Sequence, residues 1–174
     1  DLYGIWRPPC NELDDRVLSE KDFQDLLKAK FVGLKLDSDA GLSRELMKKY
    51  NIKYSPTLLI TTPSGDEITR VLGYREKSSL MNLMNAAYDA RDRSQSVLQA
   101  KAAEGDKDAQ AALGGLALER EEFADAEKLF APFETQWRKD KNPLLEKLYR
   151  ARYGLKKDAQ EKLKVAEAWM SEFP

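Results

Sequence analysis

Along the first half of the chain, apolar and polar positions switch repeatedly between a helical period and a strand period. Asn11 to Leu18 carries Leu13, Val17 and Leu18 at roughly helical spacing, which predicts a first helix. Ser19 followed by Asp22 has the chemistry of an N-cap for a second short helix bearing Phe23, Leu26 and Leu27. Phe31 to Asp37 then alternates around Val32, Leu34 and Leu36 and predicts a strand. Ser43 to Tyr50 predicts a helix with Leu46 and Met47 inward. Thr57 to Thr61 is a run of β-formers, Pro63-Ser64-Gly65-Asp66 is turn chemistry, and Ile68 to Leu72 is the returning strand of a hairpin. Lys77 to Ala90 closes the series as a helix with Leu80, Leu83, Met84 and Ala87 on one face.

From Arg93 the strand-like alternation stops and Ala, Leu, Glu and Lys dominate. Breaks at Gly105-Asp106, Arg120-Glu121, Lys139 to Pro143 and Gly154-Leu155 divide the remainder into about five helices. The expected organisation is therefore an α/β domain over 1–92 and an all-α domain over 93–174.

The chain opens Asp1-Leu2-Tyr3-Gly4-Ile5-Trp6-Arg7-Pro8-Pro9-Cys10. Asp1, Trp6 and Cys10 stand at the spacing D-x-x-x-x-W-C-x-x-C, and the segment resembles the active-site motif of the thioredoxins with Arg7 at the position of the first cysteine. Val17-Leu18-Ser19 to Phe23, Lys30 to Asp37, the Tyr54-Ser55-Pro56-Thr57 loop and Gly73 extend the resemblance over about the first 92 residues. It implies a thioredoxin-like fold, with a cis proline at Pro56 facing the motif. It also implies a strand and helix ahead of the motif, of which Asp1 to Ile5 supply only the end, so the sequence is expected to be part of a longer chain. In the second half, Leu113, Gly114, Ala126 and Phe130 stand at consensus spacings of a tetratricopeptide helix pair, and Ala159 and Leu163 suggest a weaker second copy within Leu144 to Met170. Such repeats need roughly three copies to bury their faces, so these helices are expected to dock on the first domain, on a partner or on one another.

Composition narrows the functions. With 29 basic and 30 acidic residues there is no overall field to attract nucleic acid. No apolar run approaches the roughly 18 to 20 residues of a membrane span. The chain has no His and one Cys, which removes the usual nitrogen and sulfur metal ligands, and no cofactor is expected. A dithiol exchange cycle needs one thiolate to attack and a second thiol to resolve the mixed disulfide, so this polypeptide alone cannot turn over as a two-thiol oxidoreductase. The single cysteine leaves the redox compartment open; the resemblance leans toward an exported, periplasmic location, with the cytoplasm still possible.

The reading that follows is a degenerate thioredoxin-like site that binds a polypeptide client or protein partner. Trp6, Arg7, Pro8, Pro9, Ser55, Pro56, Thr57 and Gly73 are its candidate binding residues, and Cys10 is its one candidate for a mixed disulfide. The start of a helix and the nearby Arg7 favour a Cys10 thiolate. Burial, and the resemblance's placement of Asp1 as the acid beneath that thiol, work against it. Arg7 is either a carboxylate-gripping group on the rim or a solvated residue where catalysis was lost. Trp6 and the prolines either line a client groove or stiffen the helix start. Phe133, Trp137, Tyr149, Tyr153 and Trp169 are core, or else the aromatic surface of a concave peptide-binding face. The rival readings are a thiol-disulfide oxidoreductase in which Arg7 is a local departure, and a structural adaptor with no thiol role.

Overall fold

In a computed structural model that describes residues 1–173, the chain divides into two compact units, Asp1–Ser94 and Gln95–Pro174. The first is an α/β domain and the second is all helical. Among the described residues no helix is long and apolar enough to cross a membrane.

The first unit runs β1 (Leu2–Tyr3), α1 (Pro8–Leu13) prolonged by a π-turn over Asp14–Leu18, α2 (Lys21–Lys30), β2 (Leu36–Asp37), α3 (Gly41–Lys49), β3 (Thr57–Thr61), β4 (Glu67–Leu72) and α4 (Lys77–Asp89). The strands lie in the order β2-β1-β3-β4, with β1 parallel to β2 and the other pairs antiparallel. One core forms where Leu13 and Val17, one helical turn apart, and Phe23 meet Leu58, Ile60 and Val71 of the hairpin and Leu80, Met84 and Ala87 of α4.

Two local expectations change. The strand foreseen over Phe31 to Asp37 is Leu36–Asp37, which pairs with Leu2 and Tyr3 of β1, and Leu34 adds a single bond in which its carbonyl accepts from Asp1 N. Val32 is fully exposed, while Phe31 is held by an edge-to-face contact with Tyr88 at 5.9 Å. At the start of α2 the N-cap is Glu20, without a side-chain cap bond. The Ser19 hydroxyl donates instead to the Asp15 carbonyl at 3.0 Å, and Glu20 and Asp22 both pair with Lys77 at the start of α4.

The hairpin carries a β-bulge: Ile60 pairs with Thr69 but Thr61 pairs with Glu67, so Ile68 is the extra residue. A bulge reverses the alternation of side chains beyond it. Glu67 and Arg70 therefore share a face, and each side chain is 1% exposed. Arg70 donates from Nε and Nη2 to the two Glu67 oxygens at 2.8 Å each, and from Nη2 to the Tyr50 carbonyl at 2.6 Å, just past α3.

The second unit contains α5 (Gln95–Ala103), α6 (Lys107–Glu119), α7 (Phe123–Phe130), a 3-10 turn over Ala131–Phe133, α8 (Glu134–Lys139), α9 (Leu145–Leu155) and α10 (Ala159–Glu172). The division at the 3-10 turn was not foreseen; Pro132 lacks the N–H that would continue the ladder of α7. Asp106 and Asp158 cap α6 and α10, their carboxylates accepting from Ala109 N and from Gln160 N and Glu161 N. Ala126, Phe130, Leu145, Leu148 and Ala151 form the core, with Trp137 packed on Phe130 and stacked on Phe133 at ring distances of 5.7 and 5.0 Å. Helices α6 and α7 come together over Gly114, where a Cβ would lie 2.5 Å from Phe130 Cε1. Ala159 and Leu163 do not repeat that packing: Leu163 is 58% exposed where Phe130 is fully buried.

Ion pairs link α7, α8, α9 and α10. Arg152 grips both oxygens of Glu134, at 2.9 and 2.6 Å, and reaches Glu127 at 3.0 Å; Arg138 pairs with Glu134 and Glu172. The hydrogen bonds from Arg152, more than those from Arg138, hold the Glu134 carboxyl below its ordinary value of 4.5. A carboxyl with a depressed folded pKa contributes stability that is present above the unfolded value and lost as pH falls through the folded one. Glu134→Gln is therefore expected to cost roughly 1 kcal/mol at neutral pH and to make acid unfolding of the helical unit less steep below about pH 4.5. Chemical denaturation at several pH values, followed by circular dichroism, checks this; an unchanged acid limb would refute it.

Candidate functional site

Sheet topology gathers the motif, the Pro56 loop and Gly73 at one end. β1 runs into the motif and β2, parallel to it, runs into Ser38 and Asp39. β3 is antiparallel to β1, so its first residue, Thr57, pairs with Leu2, and the last residue of β4, Leu72, pairs with Thr57 in turn. The Ser55–Pro56 peptide is cis, and Pro56 accepts from Gly73 N at 2.9 Å. Gly73 has φ +71°, in the left-handed region that favours glycine. Thr57 is fully buried, its hydroxyl donating to the Tyr54 carbonyl at 2.7 Å.

Within the motif, Arg7 is the extended N-cap of α1 and Pro8 and Pro9 are its first two residues. The residue before a proline is pushed out of the helical region, and proline at the first helical positions loses only N–H groups that the helix leaves unpaired. Cys10 follows, 1% exposed, with Sγ accepting from Gly4 N at 3.4 Å. Ile5, Trp6, Pro8 and Pro9 are exposed, Trp6 at 63%. The motif therefore turns its apolar rim to solvent and its sulfur inward. Asp1 is half-buried; its Oδ1 is shielded and makes no hydrogen bond. No hydrogen bond joins Asp1 to Cys10.

Two residues matter here that the sequence reading did not single out. Asp39 accepts from Trp6 Nε1 at 3.0 Å and its carbonyl accepts from Arg44, which fixes the indole from a position 33 residues away. Nothing local in the sequence signals that bond. Gly4 accepts from Arg7 N at 3.0 Å and lies under the Arg7 stem, where a Cβ would come within 3.2 Å of Cδ. A glycine between a strand and a Trp is a usable sign of such close approach. The aromatic candidates of the second unit are mostly internal: Trp137 and Tyr149 are buried, Phe133 and Trp169 partly so, and Tyr153 is exposed. Among the described residues no His, Cys, Asp and Glu gather into a metal-ligand set.

Residues 2–88 match the family described as a thioredoxin-like domain. Among curated proteins, the thiol:disulfide interchange protein DsbD of Actinobacillus pleuropneumoniae serotype 5b (strain L20) is 34% identical over 89 residues. That alignment covers 49% of this chain and 15% of the relative, so the matched segment spans only a small part of that protein's length. No solved structure gives a significant match.

Proposed function

Because the chain belongs, over residues 2–88, to the thioredoxin-like domain family, we propose that it binds extended polypeptide segments without chemistry at sulfur. The contact surface is the rim formed by Trp6, Arg7, Pro8 and Pro9, together with the half-buried Ser55 and Gly73, while the buried Pro56 and Thr57 shape the loop from beneath. The inversion at the motif carries this reading: Cys10 is 1% exposed while Trp6 beside it is 63% exposed. An exposed aromatic on a rigid turn supplies contact area at small entropic cost, whereas a buried thiol cannot reach a client disulfide. The relative's name speaks of thiol:disulfide interchange. With Arg7 in place of the first thiol, that chemistry here reduces to one step, in which a Cys10 thiolate attacks a client disulfide, forms a mixed disulfide and releases a client thiolate. That step requires the cover over Cys10 to open. The close approach of α6 and α7 at Gly114 supports treating the helical unit as a tetratricopeptide-type module.

The test uses a reduced, carboxymethylated unfolded polypeptide, which has neither thiol nor disulfide. The full chain should bind it reversibly, Trp6→Ala should weaken binding about tenfold or more, and native Cys10 should resist alkylation until the protein unfolds. Binding confined to disulfide-bearing polypeptides, with rapid native alkylation, would replace this reading by mixed-disulfide capture.

A further inference from the structure

Arg7 is held in place by apolar surface and backbone, without an acid. Its stem crosses Gly4, its N–H donates to the Gly4 carbonyl, and its Cζ stands 4.6 Å from the centroid of the Trp6 ring. Among the described residues no carboxylate oxygen lies within 4.0 Å of its guanidinium. Its Nε is buried with no acceptor. Elsewhere in the chain Arg70 and Arg152 each grip a carboxylate. With Nε shielded, the two Nη groups are the part of the guanidinium open to a ligand and without a partner, and their edge is a planar fork that a carboxylate fills.

We propose that Arg7 receives the side-chain carboxylate of an Asp or Glu in an extended segment lying across Trp6, so that the site selects acidic polypeptide segments. The inference rests on the client-binding reading above. A chain-terminal carboxylate or a phosphate is ordinarily cradled by a series of backbone N–H groups. Pro8 and Pro9 occupy the first two positions of α1 and have no N–H to give. A single carboxylate on a side chain, approaching the guanidinium alone, is the anion this arrangement suits. Asp39 is the acid already at the site, and it is engaged: Oδ2 accepts from the indole Nε1 and its carbonyl accepts from Arg44. The indole thus has a negative charge at its Nε1 edge and a cation over its face, which places the client's acid on the Arg7 side.

Dye-labelled short extended peptides, in pairs that differ by Glu or Gln at one position, are titrated against the full chain by fluorescence anisotropy. At one register the Glu peptide is expected to bind about tenfold more tightly than its Gln partner, with the preference shrinking as salt rises. Arg7→Gln should abolish the preference and Arg7→Lys should retain part of it. Equal affinities at every register in the unmodified protein would overturn the inference, and that comparison decides even where Arg7→Gln fails to fold. A preference that survives in folded Arg7→Gln would also overturn it. Peptides that bind with no preference leave the client-binding reading standing and remove only this inference. Failure of every peptide and of the carboxymethylated polypeptide removes both.

Discussion

Arg70→Met is expected to destabilise the first unit by about 3 to 5 kcal/mol, a large share of the stability of a domain this size. Methionine keeps most of the stem's volume, so the loss comes from what the guanidinium leaves behind. Glu67, 1% exposed, would lose both hydrogen bonds from Arg70, and the Tyr50 carbonyl would lose its donor. A buried carboxylate that loses two charge-assisted hydrogen bonds from its guanidinium keeps its desolvation penalty and loses much of what offset it. Removing both charges, in Glu67→Leu/Arg70→Met, should recover a substantial part of the loss, because an apolar pair carries no such penalty. Urea denaturation with hydrogen exchange on the β3 and β4 amides measures both variants. A loss below about 1 kcal/mol for Arg70→Met would show that the pair is dispensable.

In the second unit, Gly114→Ala should reverse the usual sign of a glycine substitution. Alanine in a helix interior ordinarily gains roughly 0.5 to 1 kcal/mol over glycine. At Gly114 the new methyl would lie 2.5 Å from Phe130 Cε1, and Phe130 is fully buried against Trp137. The ring cannot yield without opening the core, so a net loss of about 1 to 3 kcal/mol is expected. Gly115 is the internal control, since a Cβ there would meet only Lys147 Nζ at 3.6 Å, the flexible end of a long side chain. Gly115→Ala should therefore be neutral or stabilising. Similar effects for the two substitutions in chemical denaturation would remove the steric account.

The hairpin and α4 were legible because their signals are local: β-formers, a Pro/Gly turn, and apolar residues at helical spacing. Thr57 to Thr61 emerged with the foreseen bounds. Residues 31 to 35 were not legible as irregular chain, because their alternation matches a strand, whereas Phe31 alone turns inward on Tyr88 and Val32 stands in solvent. The returning strand was expected from Ile68; it begins at Glu67, a charged residue whose burial depends on the bulge and on carbonyls beyond α3. The motif told where a site would be, and the residue types left the orientation of Cys10 open. Its burial follows from the way α1 starts. The Trp6–Asp39 bond joins residues far apart in sequence, a kind of information that single-chain periodicity does not carry.

The three tryptophans divide unevenly between the units, and this decides what light can report. Trp6 belongs to the first unit and is largely solvated before any unfolding begins; Trp137 and Trp169 belong to the second, Trp137 enclosed by Phe130 and Phe133 and Trp169 stacked on Tyr149 at 6.5 Å. Loss of the helical unit moves indoles from aromatic surroundings into water, while loss of the α/β unit leaves its indole nearly where it was in polarity. An emission melting curve is therefore a record of the helices, and the sheet can come apart beneath it almost unseen.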